Sequence, residues 1–462
     1  MRKFIAIAVC LFPAIAGAQD LVTDLRQLCD HIGGRVSGSP QSARAVEWAA
    51  QKFREAGADT VRVETYTLPA YWRSSTATAS CVSPATFPLR IAAAPLTAST
   101  PDAIEGTLVD FGTNVGNAKG KIAFVHSDIM KSLDDLFADY MRIKPLMEMA
   151  KKSGVSAMLL ESSQARELLY RHPMSLNGTI ASIPVAIVAH DQAERLSRLM
   201  TEGDVRVRLR LDNKIARNVT ERNVIAEIRG SELPDEVVMI GAHLDSWDMG
   251  TGALDNGVNA ATVIDILRQM KAAGRRPKRT IRFALFTGEE QGMIGSKEYV
   301  RAHLPEMSKV AMMLAIDIGS GKTTGFFLNG RDELRNDVEQ ALLPFYADVK
   351  SQANASDAID GTDNFDFLLA GVPNLVANQD PVPYLPDYHA ESDTFDKVDQ
   401  KQAKENETIY AAVLWQFANA TQRAPQQTRA EVAKLITDTH LDDQMKGFQQ
   451  WEEWASGRRG IR

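Results

Sequence analysis

Five side chains able to hold a metal through nitrogen or oxygen follow one another as His243, Asp255, Glu290, Asp317 and His389. The first two lie in GAHLDSWDMGTGALDNG, the third in FTGEEQG, the fourth closes KVAMMLAID, and the last lies in PDYHAESDTF. Two imidazoles and three carboxylates make the donor set expected for a pair of zinc-like ions. One carboxylate can bridge, and each ion keeps a nitrogen and a further oxygen. Such a pair polarises a carbonyl and makes hydroxide at neutral pH, so the set points to a metallohydrolase.

Each segment alone has a plainer explanation. His243 and Asp245 stand two apart after the extended run VVMIGA, so both face one side, and Asp245 is placed to hydrogen-bond the second imidazole nitrogen. An HxD pair by itself is weak. Asp255 occupies a glycine-flanked turn where Asp and Asn favour helix N-caps; Asn256 could cap while Asp255 binds metal. Glu289 and Glu290 close the strand IRFALFTG, where neighbours point apart. One would then be a ligand and the other a general base, unless the pair merely opens a helix. Asp317 ends an apolar strand and needs a partner, either a cation of the chain or a metal. His389 alone reads as a surface histidine. The order of all five along successive strand ends carries the argument.

Those strand ends come from a regular rhythm. After Asn218, strands at Val237–Gly241, Thr280–Phe286, Lys309–Ile316 and Pro373–Ala377 alternate with helices at Gly257–Ala273, Met293–His303 and Arg331–Tyr346. This predicts an α/β fold, a mixed and largely parallel central sheet with helices on both faces, whose site opens at the carboxyl ends of the strands. Before it, residues 21–34 and 40–56 read as helices and Val61–Leu68 as a strand. Between them lies a block of short β-rich pieces. It also holds a helix at Leu133–Ser153, expected to break or kink near Pro145, and a second helix at DQAERLSRLM. Residues after Ala424 are polar and helical.

At 462 residues, two domains are the natural expectation. A net charge of −7 without a long Lys/Arg run argues against a nucleic-acid partner. The start, MRKFIAIAVCLFPAIAGAQD, has a basic tip, a short apolar run and Ala-Gly-Ala, which predicts a signal peptide over residues 1–18 and an exported protein, periplasmic or secreted. The run is shorter than the roughly 20 residues of a membrane span, so no membrane contact is expected after cleavage. Cys29 and Cys81 remain; one disulfide is arithmetically allowed but nothing in the spacing demands it. No GxSxG is present.

The series HLDSWD, GALDNG, GEEQG, AIDIGSG and YHAESDT resembles the secreted dizinc aminopeptidases of the zinc-exopeptidase superfamily, in particular the carboxypeptidase Q-type branch. The resemblance implies two zinc ions per chain: His243 with Asp317 on one, Glu290 with His389 on the other, and Asp255 bridging. It implies Glu289 as general base, Asp245 orienting His243, and a cis bond between Asp255 and Asn256, where many relatives have Asp-Asp. GTDNFDFLLAGVP resembles a pocket segment, with Asp363 or Phe365 facing substrate. The block at 71–215 resembles a protease-associated domain inserted into a catalytic domain formed by 19–70 and 216–425, followed by a helical tail at 426–462. The implied substrates are short peptides cut at the N-terminal bond, and a homodimer is implied as an assembly. The alternatives are a single-zinc glutaminyl cyclase and a silent, receptor-like binding module.

Overall fold

The computed structural model describes residues 18–112, 117–345 and 354–461. The signal-peptide expectation falls outside them, except for Ala18, which opens helix α1 (Ala18–Arg26). Helix α2 (Pro40–Glu55) starts where Ser39 accepts a hydrogen bond from the Ser42 amide and Pro40 presets the first turn. Its Ala45, Val46, Ala49, Ala50 and Phe53 recur at helical spacing and are all buried.

The next strand, β1 (Thr60–Ser83), is much longer than the sequence suggests, and leads to β2 (Phe87–Leu89) and β3 (Ile91–Ala93). There follow β4 (Ile104–Asp110), β5 (Ile122–Val125), α3 (Leu133–Ser153), β6 (Ala157–Glu161), β7 (Val185–Val188) and α4 (His190–Glu202). Helix α3 does not end at Pro145 but continues through it, fixed at its start by a capping box of Ser132 and Asp135. Strand β8 (Arg206–Ile228) then pairs antiparallel with β1 from Thr60–Glu227 to Ser83–Arg206. Positions 70/71 and 215/216 both fall inside this ribbon. The chain therefore passes between its two regions on paired strands rather than on linkers.

Beyond the ribbon come β9 (Leu233–His243), α5 (Val258–Ala272), β10 (Arg279–Phe286), α6 (Ile294–Ala302), β11 (Val310–Ala315) and β12 (Thr323–Phe327). Then follow α7 (Arg335–Leu342), α8 (Phe365–Leu369), β13 (Asn374–Gln379) and α9 (Gln400–Asn419). The tail forms α10 (Arg429–Asp438), α11 (Leu441–Gly447) and α12 (Trp451–Ala455). Sequence reading missed β12 and α9.

Strands β13, β11, β9 and β10 are mutually parallel in that order, flanked by antiparallel β12 and β8. Alternate residues of β9 serve two cores. Val238, Ile240 and Ala242 pack with α2, α5 and α9, whereas Val237 and Met239 pack with Tyr299 and Phe367. Covering both faces explains why these strands are continuous apolar runs. It also leaves the carboxyl edge of the parallel strands as the place where polar groups can converge.

Candidate metal centre

His243 is the last residue of β9, Glu290 follows β10 by four positions and Asp317 follows β11 by two. Asp255 stands in the turn between β9 and α5, and His389 enters from the loop after β13. His243 Nε2 lies 3.1 Å from Asp255 Oδ1 and 2.9 Å from Asp317 Oδ1. His389 Nε2 lies 3.1 Å from Asp255 Oδ2 and 2.8 Å from Glu290 Oε2. The two oxygens of Asp255 thus each face one half of the cluster. Ligand atoms around a tetrahedral zinc, with bonds of about 2.0–2.1 Å, are separated by roughly 3.3 Å, close to these spacings.

The donor set fits such ions chemically as well. His243, Asp255, Glu290 and His389 are buried, and Glu290 Oε1 has no hydrogen-bond partner. No Lys or Arg forms an ion pair with Asp255, Glu290 or Asp317 among the described residues. Asp255, Glu290 and the partly buried Asp317 have only the two histidines to answer their charge among the described residues, an excess of carboxylate that is costly unless a positive ion joins them.

The same crowding governs protonation. Burial opposes a charge on His243, but the adjacent Asp317 and the carboxylates of Asp245 and Asp255 carry its pKa well above the usual range. Burial likewise opposes charging of His389, yet Glu290 and Asp255 push it up to about 10. Burial raises Glu290 to about 7 and raises Glu289 well above a normal carboxylate, the latter helped by Asp317, Asp363 and Glu290. Asp255 goes the other way: burial works against it, but bonds from both histidines hold it low.

The second nitrogen of each histidine is held by a main-chain carbonyl. His243 Nδ1 is 3.0 Å from the carbonyl oxygen of Asp245 and 3.7 Å from its carboxylate. The orienting contact expected from the Asp245 side chain is therefore made more closely by its backbone. The carboxylate instead accepts from Ser37 Oγ at 3.0 Å and from the Glu289 amide at 3.3 Å, tying down the loop that presents Glu289. His389 Nδ1 is 2.9 Å from the carbonyl of Arg171, a residue of the block before β8. Arg171 is itself anchored to Asp248, with 2.9 Å from Nη2 to Oδ1.

Three further supports escaped sequence reading. Asp393 accepts from the amides of Ala253 at 3.0 Å, Leu254 at 2.6 Å and Asp255 at 3.1 Å, so one carboxylate holds the whole turn. The peptide bond from Asp255 to Asn256 in that turn is cis, as the resemblance implied. Asn256 does not cap α5: its Nδ2 donates to the Ile316 carbonyl and its Oδ1 accepts from Asn259. Buried Arg35 donates to the carbonyls of Leu244 at 2.7 Å, Thr251 at 2.7 Å and Gly252 at 2.9 Å, bracing the preceding loop. Only the glycine-rich GGRVSG hinted at Arg35, and the SDT after His389 at Asp393. Cys29 and Cys81 are both buried and unpaired.

The cluster opens into a pocket whose lining includes Glu289, Tyr384, Tyr388, Thr362 and several apolar side chains. Asp363 is buried beside it, with neither carboxylate oxygen hydrogen-bonded, whereas Phe365 is fully buried in the core.

Residues 223–414, which hold all five donors, match the model of peptidase family M28. This segment is a peptidase family M28 domain. Carboxypeptidase Q of Rattus norvegicus is 29% identical over 86% of this chain and 85% of its own length. That of Homo sapiens is 27% identical over 87% and 86%. The crystal structure of a peptidase M28 precursor from Shewanella amazonensis superposes with a TM-score of 0.82, at 28% identity, over 89% of this chain and 97% of that one. A zinc aminopeptidase from Bacillus subtilis shares the fold, with a TM-score of 0.68 at 20% identity over 86% and 94%. With this segment the chain is a metallopeptidase, built on a mixed, mostly parallel sheet.

Proposed function

We propose that this chain removes the N-terminal residue from short peptides, dipeptides included, using two zinc ions. His243 and Asp317 would hold one ion, Glu290 and His389 the other, and Asp255 both. The observation that carries this reading is the position of Asp255, with one oxygen 3.1 Å from each histidine's Nε2. Bound zinc would supply Lewis acidity toward the scissile carbonyl and an acidified water.

The chain's own residues supply the rest. Glu289 and Glu290 both line the pocket, and Glu290 Oε2 is paired with His389 Nε2 at 2.8 Å, so the two carboxylates are assigned different tasks. Glu289 accepts the proton of the attacking water and returns it to the departing amine, for which a raised pKa is the right adjustment. Asp245, through its carbonyl and carboxylate, positions both His243 and the Glu289 amide. Short peptides are the substrates of this reading. Export, a protease-associated role for residues 71–215, a separate role for the tail at 426–462 and a homodimer complete the proposal. No helix among the described residues is long and apolar enough to cross a membrane.

The test is metal content per chain together with hydrolysis of a dipeptide panel. Two zinc ions and chelator-sensitive cleavage are expected; a single ion would move the chain toward cyclase-type chemistry. Glu289→Gln should keep both ions and lose turnover by about 10²–10⁴-fold. Full activity in that variant would end the general-base assignment.

A further inference from the structure

The pocket that contains the metal-binding side chains is mostly apolar, and its walls come from many separate stretches of chain. Leu136, Phe137 and Tyr140 of α3 and Phe448, just after α11, line it together with Tyr388 and the cluster itself. The tail is therefore in contact with the reaction space. Phe448 stacks on Tyr140, with centroids 5.6 Å apart and planes at 21°, and meets Phe137 edge-on at 6.3 Å. Tyr140 and Tyr388 share a hydroxyl hydrogen bond of 2.6 Å, and Tyr388 stacks on the His389 ring at 3.8 Å. A continuous file of rings thus joins the tail to His389, one of the proposed ligands.

The tail is also fixed to the loop that forms the adjoining wall. Gln444 Oε1 accepts from the Asp360 amide at 3.0 Å, and Gln450 Nε2 donates to Asp360 Oδ1 at 3.2 Å. The buried Arg459 bonds Asp366 through Nε at 2.8 Å and Nη2 at 2.5 Å. At Gly447 a Cβ would stand 2.1 Å from Met141 Sδ, so α11 lies directly against α3. Phe448 consequently cannot swing far without moving both neighbours.

We infer that Phe448 is a specificity-determining residue: with Leu136, Phe137 and Tyr140 it bounds a compartment for one apolar substrate side chain. This rests on the peptidase reading above. The whole pocket, the space over the metal-binding side chains included, measures about 140 Å³, close to the roughly 150 Å³ of an apolar cavity that accommodates benzene. The part of it beside Phe448 therefore takes one side chain, of at most leucine or phenylalanine size. Glycine or alanine would leave it underfilled, and tryptophan would overfill it. The tail, which adds nothing to the donor set, would set which peptides are cut.

The experiment compares kcat/KM for X-Gly and Gly-X dipeptides, with X as Ala, Leu, Phe and Trp, in wild type, Phe448→Ala, Phe448→Leu and Phe448→Trp holoenzymes. Wild type should prefer Leu or Phe in one of the two series. Phe448→Ala and Phe448→Leu should shift that preference toward Trp, and Phe448→Trp toward Ala, each by on the order of 10-fold in the ratio of the extremes. Opposite shifts cannot come from general loss of structure. Should Phe448→Ala fail to fold, the Leu and Trp variants carry the comparison. Cleavage with an unchanged ranking, or a uniform loss across the panel, would overturn the inference alone. Failure of wild type to cleave any dipeptide would overturn the peptidase reading and this inference with it.

Discussion

Asp393 offers the sharpest test of how the metal-binding turn is held. Its two oxygens accept three amides, from Ala253, Leu254 and Asp255, all in a buried turn. Asp393→Ala removes every acceptor at once. A buried amide left unpaired costs about 1–3 kcal/mol, so three cost about 3–9 kcal/mol, and less for each one that water reaches. Asp393→Asn is milder. It can keep the oxygen that serves Ala253 and Leu254 but presents an amide nitrogen to the Asp255 N–H, losing one charge-assisted bond and opposing two donors, worth about 2–3 kcal/mol. Because Asp255 faces both halves of the cluster, the loss should fall on both ions. Removal of a group that orients a ligand typically lowers metal affinity 10–100-fold. Zinc affinity would be measured by competition with a chelator, and stability by urea unfolding of the metal-free chain. Alanine should be worse than asparagine in both. Affinities within a factor of about two of wild type for both variants would refute the argument, because the turn would then hold its shape without Asp393.

Other consequences are spread across the molecule. Glu407 on α9 is pushed up to about 8, by burial and then by Asp265, with Lys404 pulling the other way. Its folded form keeps a proton that the unfolded chain has already released, so its contribution to stability is present below about pH 4.5 and is lost as pH rises toward 8. Glu407→Gln should flatten the fall of Tm over that window, and an unaltered pH profile would contradict it. Gly292 has φ +111°, and a Cβ there would stand 2.2 Å from the carbonyl oxygen of Leu176. Gly292→Ala should therefore cost about 2–5 kcal/mol in unfolding free energy, through backbone conformation and overpacking together; a wild-type midpoint in urea would count against this. The Cys29 thiol is pushed up to about 12, chiefly by burial, and Cys81 is buried as well. Native protein should react slowly with a thiol reagent, and both thiols should titrate in denaturant without prior reduction. Immediate labelling, or none until a reductant is added, would show otherwise.

The candidate metal donors other than His389 were readable from sequence because they lie close to elements the sequence announces. Apolar runs that must be buried on both faces end at His243 and shortly before Glu290 and Asp317, and a parallel sheet brings such ends to one edge. The separate tasks proposed for Glu289 and Glu290 also follow from their adjacency. Elsewhere the local signal was ambiguous. Strands β1 and β8 were seen only in part because many of their residues are partly exposed, so their periodicity is diluted. Pro145 was expected to break or kink α3, but the helix runs from Leu133 to Ser153 with Pro145 inside it.

What sequence alone determined is the chemistry: which side chains could hold metal, and at which edge of which kind of sheet. Tertiary structure decided how those side chains are held and what they can act on. The carbonyls of Asp245 and Arg171 aim the two histidines, and a carbonyl is present at every position, so no residue type advertises it. Asp393 reaches back 138 positions to Asp255, and Phe448 joins a wall built on α3. Contacts of that span depend on where the fold places distant segments, and a pattern of spacing within one segment carries no record of them.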